Sequence, residues 1–152
     1  MQIDTEVVRV VFNHLGRAVI ANRFFEAGET IAEIQGTIVQ DPGYSSDYCF
    51  ELNDGRSLEP SSPFRFLNHS CEPNGEIFMW EDELDQHDAG LLIGARQAIE
   101  PGHELTIDYG WPAISAIPCL CNVESCRGWI VATEELGDLR QRLANQSCPL
   151  NS

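Results

Sequence analysis

The sequence predicts a mostly β, single-domain protein with a metal-bound loop near its C-terminus. Three observations lead there. Apolar residues fall in short extended runs punctuated by turn residues rather than in long helical periods. Cys119, Cys121 and Cys126 form a tight C-x-C-x4-C cluster. A chain of 152 residues, 43% hydrophobic and 22% charged, suits one compact domain with a core of its own and excludes a disordered tail protein.

In chain order, extended runs rich in β-branched and aromatic residues are expected at Val7–Phe12, Ala18–Ala21, Thr30–Val39, Tyr48–Leu52, Gly75–Phe78, Gly90–Ala95 and Glu104–Ile107. Asn53-Asp54-Gly55 is a tight-turn signal between apolar flanks. Ala27-Gly28 and Pro101-Gly102 each precede an extended run in similar surroundings, Glu-Ala-Gly-Glu-Thr-Ile and Glu-Pro-Gly-His-Glu-Leu-Thr-Ile. The acidic Glu81–Asp88 reads as a solvated hairpin tip. The persuasive helix is Glu134–Asn145, where Leu136, Leu139 and Leu143 share a face; it is expected to dock on the body as a brace, and its alternative use in a dimer leaves monomer or dimer open. No repeat, low-complexity stretch or linker interrupts the chain.

The charge is lopsided. Nine arginines and no lysine stand against twenty-four acidic residues, for a formal net of -15. Such a surface repels a phosphate backbone, so no direct nucleic-acid partner is expected, whereas basic peptides and cations are drawn to it. No apolar run of ~18 residues occurs and Met1–Asp4 does not open a basic-then-apolar leader, so neither a membrane span nor a secretory signal is expected. The expected location is intracellular and reducing, cytoplasmic or nuclear. Clustered thiols in such a compartment read as metal ligands. The C-x-C-x4-C thiolates wrap three corners of a tetrahedral Zn2+ site. Cys49, Cys71 and Cys148 all remain candidates for the fourth corner, with His69 a possible substitute.

Three further segments carry more than structure. Arg65–Asn74, RFLNHSCEPN, crowds two Asn, a His, an Arg and a Cys into ten positions, a density of polar groups that demands hydrogen-bond partners. Glu104–Trp111, ELTIDYGW, ends an apolar strand in Asp-Tyr-Gly, where the Tyr is either an ordinary strand-end residue or one whose hydroxyl stands in a cleft. Leu15-Gly16-Arg17-Ala18 is a place for close backbone approach.

Together these segments resemble the SET-domain family of protein lysine methyltransferases. Gly16-Arg17-Ala18-Val19-Ile20-Ala21 is similar to its first glycine motif, followed by Ala27-Gly28-Glu29 and Glu33-Ile34-Gln35-Gly36. Arg65–Asn74 is similar to its RFxNHSCxPN signature and Glu104–Gly110 to its ELTxDYG signature, while Cys119–Gly128, CLCNVESCRG, resembles the cysteine-rich segment that follows the domain. The likeness covers residues 6 to 130.

The resemblance implies a β-clip fold of several small sheets with a pseudoknot, a SET domain over 1–115, a post-SET zinc segment over 116–130 and a helical extension over 131–152. It selects Cys71 as the fourth ligand of a structural Zn2+ with Cys119, Cys121 and Cys126. It implies S-adenosylmethionine as cofactor, with Leu15, Gly16, Arg17 and Ala18 passing backbone beside it, Arg65 and Asn68 at its polar end, the His69 backbone at adenine, and Tyr48 and Trp129 lining the pocket. Tyr109 takes the place of the catalytic tyrosine. Ala18 stands where the family usually has Gly, and Ile34 and Ile107 stand where it usually places aromatic walls of the lysine channel. The implied activity is methyl transfer to lysine in a basic, histone-like peptide or protein. The aliphatic walls keep two alternatives open: the same fold acting on a small apolar metabolite by methylation or cyclisation, and a non-catalytic zinc-stabilised binding module.

Overall fold

The computed structural model describes residues 7–13, 16–52, 55–81 and 89–146. The chain divides into two compact units that interleave in sequence: Met1–Asn68 with Asn74–Thr106, and His69–Pro73 with Ile107–Ser152.

In the first unit β1 (Val8–Asn13) and β2 (Gly16–Ala21) pair antiparallel, Val10 opposite Val19. The sheet they begin has four strands, ordered β1-β2-β10-β7, with β7 at Asn68–His69 and β10 at Glu104–Ile107. A second sheet places β9 (Ala89–Ala95) between β3 (Thr30–Ile34) and β8 (Gly75–Glu81); a third places β6 (Ser57–Pro60) between β4 (Gly36–Val39) and β5 (Phe50–Glu51). Val8, Val19, Phe25, Leu91, Ile93, Ile99 and Leu105 are all but removed from water and form the centre of this unit. Each such side chain contributes about 1.5–3 kcal/mol by burial, which outweighs the weak pairing of strands this short.

The run expected as one strand over Thr30–Val39 is two strands in two sheets. Ile34 pairs with Leu91 and Gly36 with Pro60, so the chain changes partner at Gln35, whose carbonyl accepts the Ser61 N–H at 2.9 Å. Gly36 permits the crossing, because a Cβ there would collide with the Glu59 carbonyl and stand 2.8 Å from Pro60 Cα. The Asn53-Asp54 half of the expected turn lies outside the described residues. Its flanks are joined as a turn requires, with Leu52 N–H on the Arg56 carbonyl at 2.8 Å. The tip expected over Glu81–Asp88 lies outside the described residues from 82 to 88; β8 and β9, which flank it, pair from Gly75↔Ala95 to Glu81↔Ala89.

The second unit has little regular structure. β11 (Ile117–Pro118) pairs with β12 (Trp129–Ile130), and a 3-10 turn at Thr133–Glu135 leads into α1 (Leu136–Gln146). The expected helix is present, starting two residues later than Glu134. Its Leu139 is buried with Ala113 and Val131, and Leu136, Leu143, Ala116 and Trp129 pack around them. Glu135 anchors its entry by accepting the Ala113 N–H at 2.9 Å. Among the described residues no helix is long and apolar enough to cross a membrane.

Candidate active site and metal centre

In the first unit the polar residues of the 65–74 signature hold strands together. Asn68 Nδ2 donates to the Arg17 carbonyl at 2.9 Å and to Glu104 Oε2 at 2.8 Å, tying β2 to β10. Asn74 imitates a peptide group: Nδ2 donates to the Glu104 carbonyl at 2.8 Å and Oδ1 accepts the Thr106 N–H at 2.9 Å. Each such bond contributes about 0.5–1.5 kcal/mol, and losing a buried partner costs more. Gly16 opens β2 at φ +109°, a conformation glycine adopts without penalty, and among the described residues, its chain neighbours aside, no atom lies within 4 Å of where a side chain there would begin. Arg17 is exposed, with its guanidinium over Phe12 and Phe66, and Ala18 is fully buried. Arg65 lies 3.9 Å over the ring of the half-exposed Tyr48 and donates to Glu59 Oε2 at 2.7 Å. Ile34 is 2% exposed. Leu15 lies outside the described residues.

In the second unit the two signatures meet on each other's backbone. Ser70 N–H donates to the Ile107 carbonyl at 3.0 Å, and Tyr109 N–H donates to His69 Nδ1 at 3.1 Å. That second bond fixes the tautomer: Nδ1 accepts, so the ring proton is on Nε2, which faces Cys71 Sγ at 3.5 Å. Burial holds the His69 pKa below the ordinary imidazole value, with Asp108 opposing and Arg127 reinforcing. The 3.7 Å approach of Asp108 Oδ1 to Nδ1 is therefore not an ion pair, because the ring is neutral and Nδ1 is already an acceptor. The Tyr109 ring stands edge-on to His69, centroids 5.4 Å apart, and beside Trp111 at 5.3 Å. Asp108 caps the turn by accepting Gly110 N–H at 3.0 Å and pairs with Arg127 at 2.9 Å, while Arg127 also reaches Thr133 Oγ1 at 2.8 Å. Ile107 is 2% exposed. Trp129 is partly buried against the α1 core.

The four sulfurs of Cys71, Cys119, Cys121 and Cys126 lie within 4.8 Å of one another. A tetrahedron with Zn–S near 2.3 Å spaces its sulfurs about 3.8 Å apart. Cys71 Sγ is 3.8 Å from Cys119 Sγ and 4.0 Å from Cys126 Sγ. Backbone N–H groups of Arg127, Cys121 and Gly128 donate to the sulfurs of Cys71, Cys119 and Cys126 at 3.3–3.4 Å, as thiolate ligands require. Burial pushes the Cys119 thiol up. Cys121 is lowered to about 6, burial being outweighed by hydrogen bonds from Val123, Cys71 and the neighbouring thiols. Four like groups cannot all ionise side by side unless a divalent cation joins them, so the donor set, the spacing and the backbone N–H groups on the sulfurs fit structural Zn2+. Among the earlier candidates for the fourth corner, Cys49 sits elsewhere, bonded to Ser46, and Cys148 lies outside the described residues. His69 serves the cluster from behind Cys71.

With this geometry in view, the family model described as SET domain matches residues 16–110. The chain belongs to the SET-domain family. Among its relatives, the histone-lysine N-methyltransferase ash1 of Drosophila melanogaster is 39% identical over 90 residues, covering 55% of this chain and 4% of that protein. The H3 lysine-4 specific histone-lysine N-methyltransferase of Cryptococcus neoformans is 28% identical over 136 residues, covering 76% of this chain and 9% of that protein. KRYPTONITE, solved with mCHG DNA and SAH, superposes at a TM-score of 0.71 with 28% identity, over 81% of this chain and 28% of that one. The SET-domain chain thus spans less than a tenth of the length of either curated relative.

Sequence reasoning missed Glu59, the Asp108–Arg127 pair and the imidazole bond to Cys71. Asp108 and Arg127 stand inside quoted motifs, but only a fold that joins them reveals the pair. Glu59 precedes the RFLNHSCEPN signature and carried no signal of its own.

Proposed function

We propose that this SET domain transfers a methyl group from S-adenosylmethionine to the ε-amine of a lysine in a basic, histone-like protein. The observation that carries the reading is the setting of Tyr109, whose backbone N–H is held by the buried, neutral His69 while its ring packs between imidazole and indole. The relatives are histone-lysine N-methyltransferases by name, and KRYPTONITE was solved with an H3(1-15) peptide and SAH, which supports both cofactor and substrate class.

The open space at Gly16, the guanidinium of Arg65 and the amide of Asn68 suit the polar end of the cofactor. Tyr48, Ala18, Trp129 and the His69 backbone are each proposed as cofactor contacts on the family resemblance alone. S-adenosylmethionine supplies a methyl already activated on sulfonium, so no nucleophilic triad is called for. The chain's own task is to hold an uncharged amine in line and keep water away. Lysine in water has a pKa of about 10.4, and an apolar channel lowers it by desolvation. Ile34 and Ile107, at the positions where the family usually places aromatic residues of the lysine channel, offer an ammonium neither hydroxyl nor aromatic face, which favours the uncharged amine. Tyr109 accepts a hydrogen bond from that amine or polarises the forming bond. Zinc fastens the cysteine loop and takes no part in the chemistry.

The same aliphatic walls support a second reading, a small apolar acceptor. Conversion of S-adenosylmethionine, followed with lysine peptides and with a metabolite extract as separate acceptors, decides between them. Turnover with peptides alone supports the proposal; turnover with the extract alone replaces it, and none with either leaves the binding-module reading.

A further inference from the structure

Glu59 collects three donors on one carboxylate. Oε1 accepts the Tyr44 hydroxyl at 2.8 Å and the Ser46 hydroxyl at 2.6 Å; Oε2 accepts Arg65 Nη1 at 2.7 Å. Ser46 is fully engaged, since its oxygen also accepts the N–H groups of Tyr48 and Cys49 at 3.1 and 3.0 Å. The segment begins in a turn of its own, with Gly43 N–H on Asp41 Oδ1 at 2.8 Å and Tyr44 N–H on the Asp41 carbonyl at 3.0 Å. Residues 41–49 are thus folded around Glu59, and the ring they deliver, Tyr48, lies 3.9 Å beneath the guanidinium that Glu59 pins. A hydrogen bond from Ser46, opposed by burial and aided by Tyr44 and Arg65, keeps the carboxylate ionised well below neutral pH. A planar guanidinium held at one Nη and stacked on a ring has its plane fixed, which is what bidentate recognition of a carboxylate such as the cofactor's needs.

We infer that Glu59 is a positioning residue of the cofactor site: it holds Arg65 flat on Tyr48 and anchors the 41–49 segment that carries that ring. The inference rests on the proposed reading of Arg65 as a cofactor residue. Removing the carboxylate's charge weakens its hold on the Arg65 guanidinium and on the Tyr44 and Ser46 hydroxyls of the 41–49 segment.

The test is calorimetric binding of S-adenosylhomocysteine to the full chain and to Glu59→Gln, Arg65→Ala, the double variant, and Tyr44→Phe/Ser46→Ala, with initial rates on a lysine peptide. Glu59→Gln is expected to weaken binding about tenfold, Tyr44→Phe/Ser46→Ala about threefold, and to raise the KM for S-adenosylmethionine while the peptide KM stays put. In the Arg65→Ala background Glu59→Gln is expected to add almost nothing, because it acts through the missing side chain. An undiminished additional loss in that background, or unchanged binding in Glu59→Gln, overturns the inference. Unchanged binding in Arg65→Ala overturns the reading of Arg65 itself, and the inference with it. If Glu59→Gln does not fold, the Tyr44→Phe/Ser46→Ala pair decides alone: wild-type affinity there overturns the role given to the 41–49 segment.

Discussion

His69 does two things with one neutral ring, accepting from the Tyr109 backbone at Nδ1 and donating to Cys71 at Nε2. His69→Phe keeps the bulk and deletes both bonds. It is expected to cost about 2 kcal/mol of stability and to speed zinc loss to a chromogenic chelator. A change in unfolding free energy with no change in zinc release would separate the imidazole from the metal centre. Glu59 contributes to the pH dependence of stability. Its pKa is lowered on folding, so the unfolded chain takes up the proton first; its contribution is complete above the ordinary value of 4.5 and is lost as pH falls through the folded value. The melting temperature of the wild-type chain should therefore fall more steeply below pH 4.5 than that of Glu59→Gln, and parallel curves would contradict it.

At the scale of elements, Gly36 decides the most. Because a Cβ there meets Glu59 and Pro60 backbone, which cannot swing aside, Gly36→Ala should part β4 from β6 and destabilise by about 1–3 kcal/mol in denaturant unfolding. A loss below the cost of an ordinary surface substitution would show that the strands separate freely. The longer strands and α1 were legible because their apolar pattern is strong over six or more residues, as in β1 and β2. β7, β11 and β12 were not, since each has two residues and owes its pairing to neighbours rather than to pattern. β6 went unseen because Ser-Leu-Glu-Pro carries no β-branched residue and ends in Pro, which reads as a turn. Of the site, the residues in signature motifs were legible by resemblance. The partners that hold them, Glu59 for Arg65 and Glu104 for Asn68, depend on which strands lie side by side.

For the whole molecule, the net charge of -15 should act on encounter with a basic substrate. The KM for a lysine- and arginine-rich peptide is expected to rise severalfold between low and physiological salt while kcat holds, because screening weakens steering over about 8–10 Å. A salt-independent KM would assign recognition to contacts rather than field. Removing zinc should lower both stability and turnover, since four thiolates from residues 71 to 126 hold the segment that follows Tyr109. The most direct measurement is the residue-resolved mass of a histone H3 peptide after incubation with S-adenosylmethionine and either the wild-type chain or Tyr109→Phe. Methyl increments confined to lysine with the wild type, and reduced at least about a hundredfold with Tyr109→Phe while S-adenosylhomocysteine still binds, are the predicted result. Increments that persist undiminished without the phenol hydroxyl, or that fall on residues other than lysine, would contradict it.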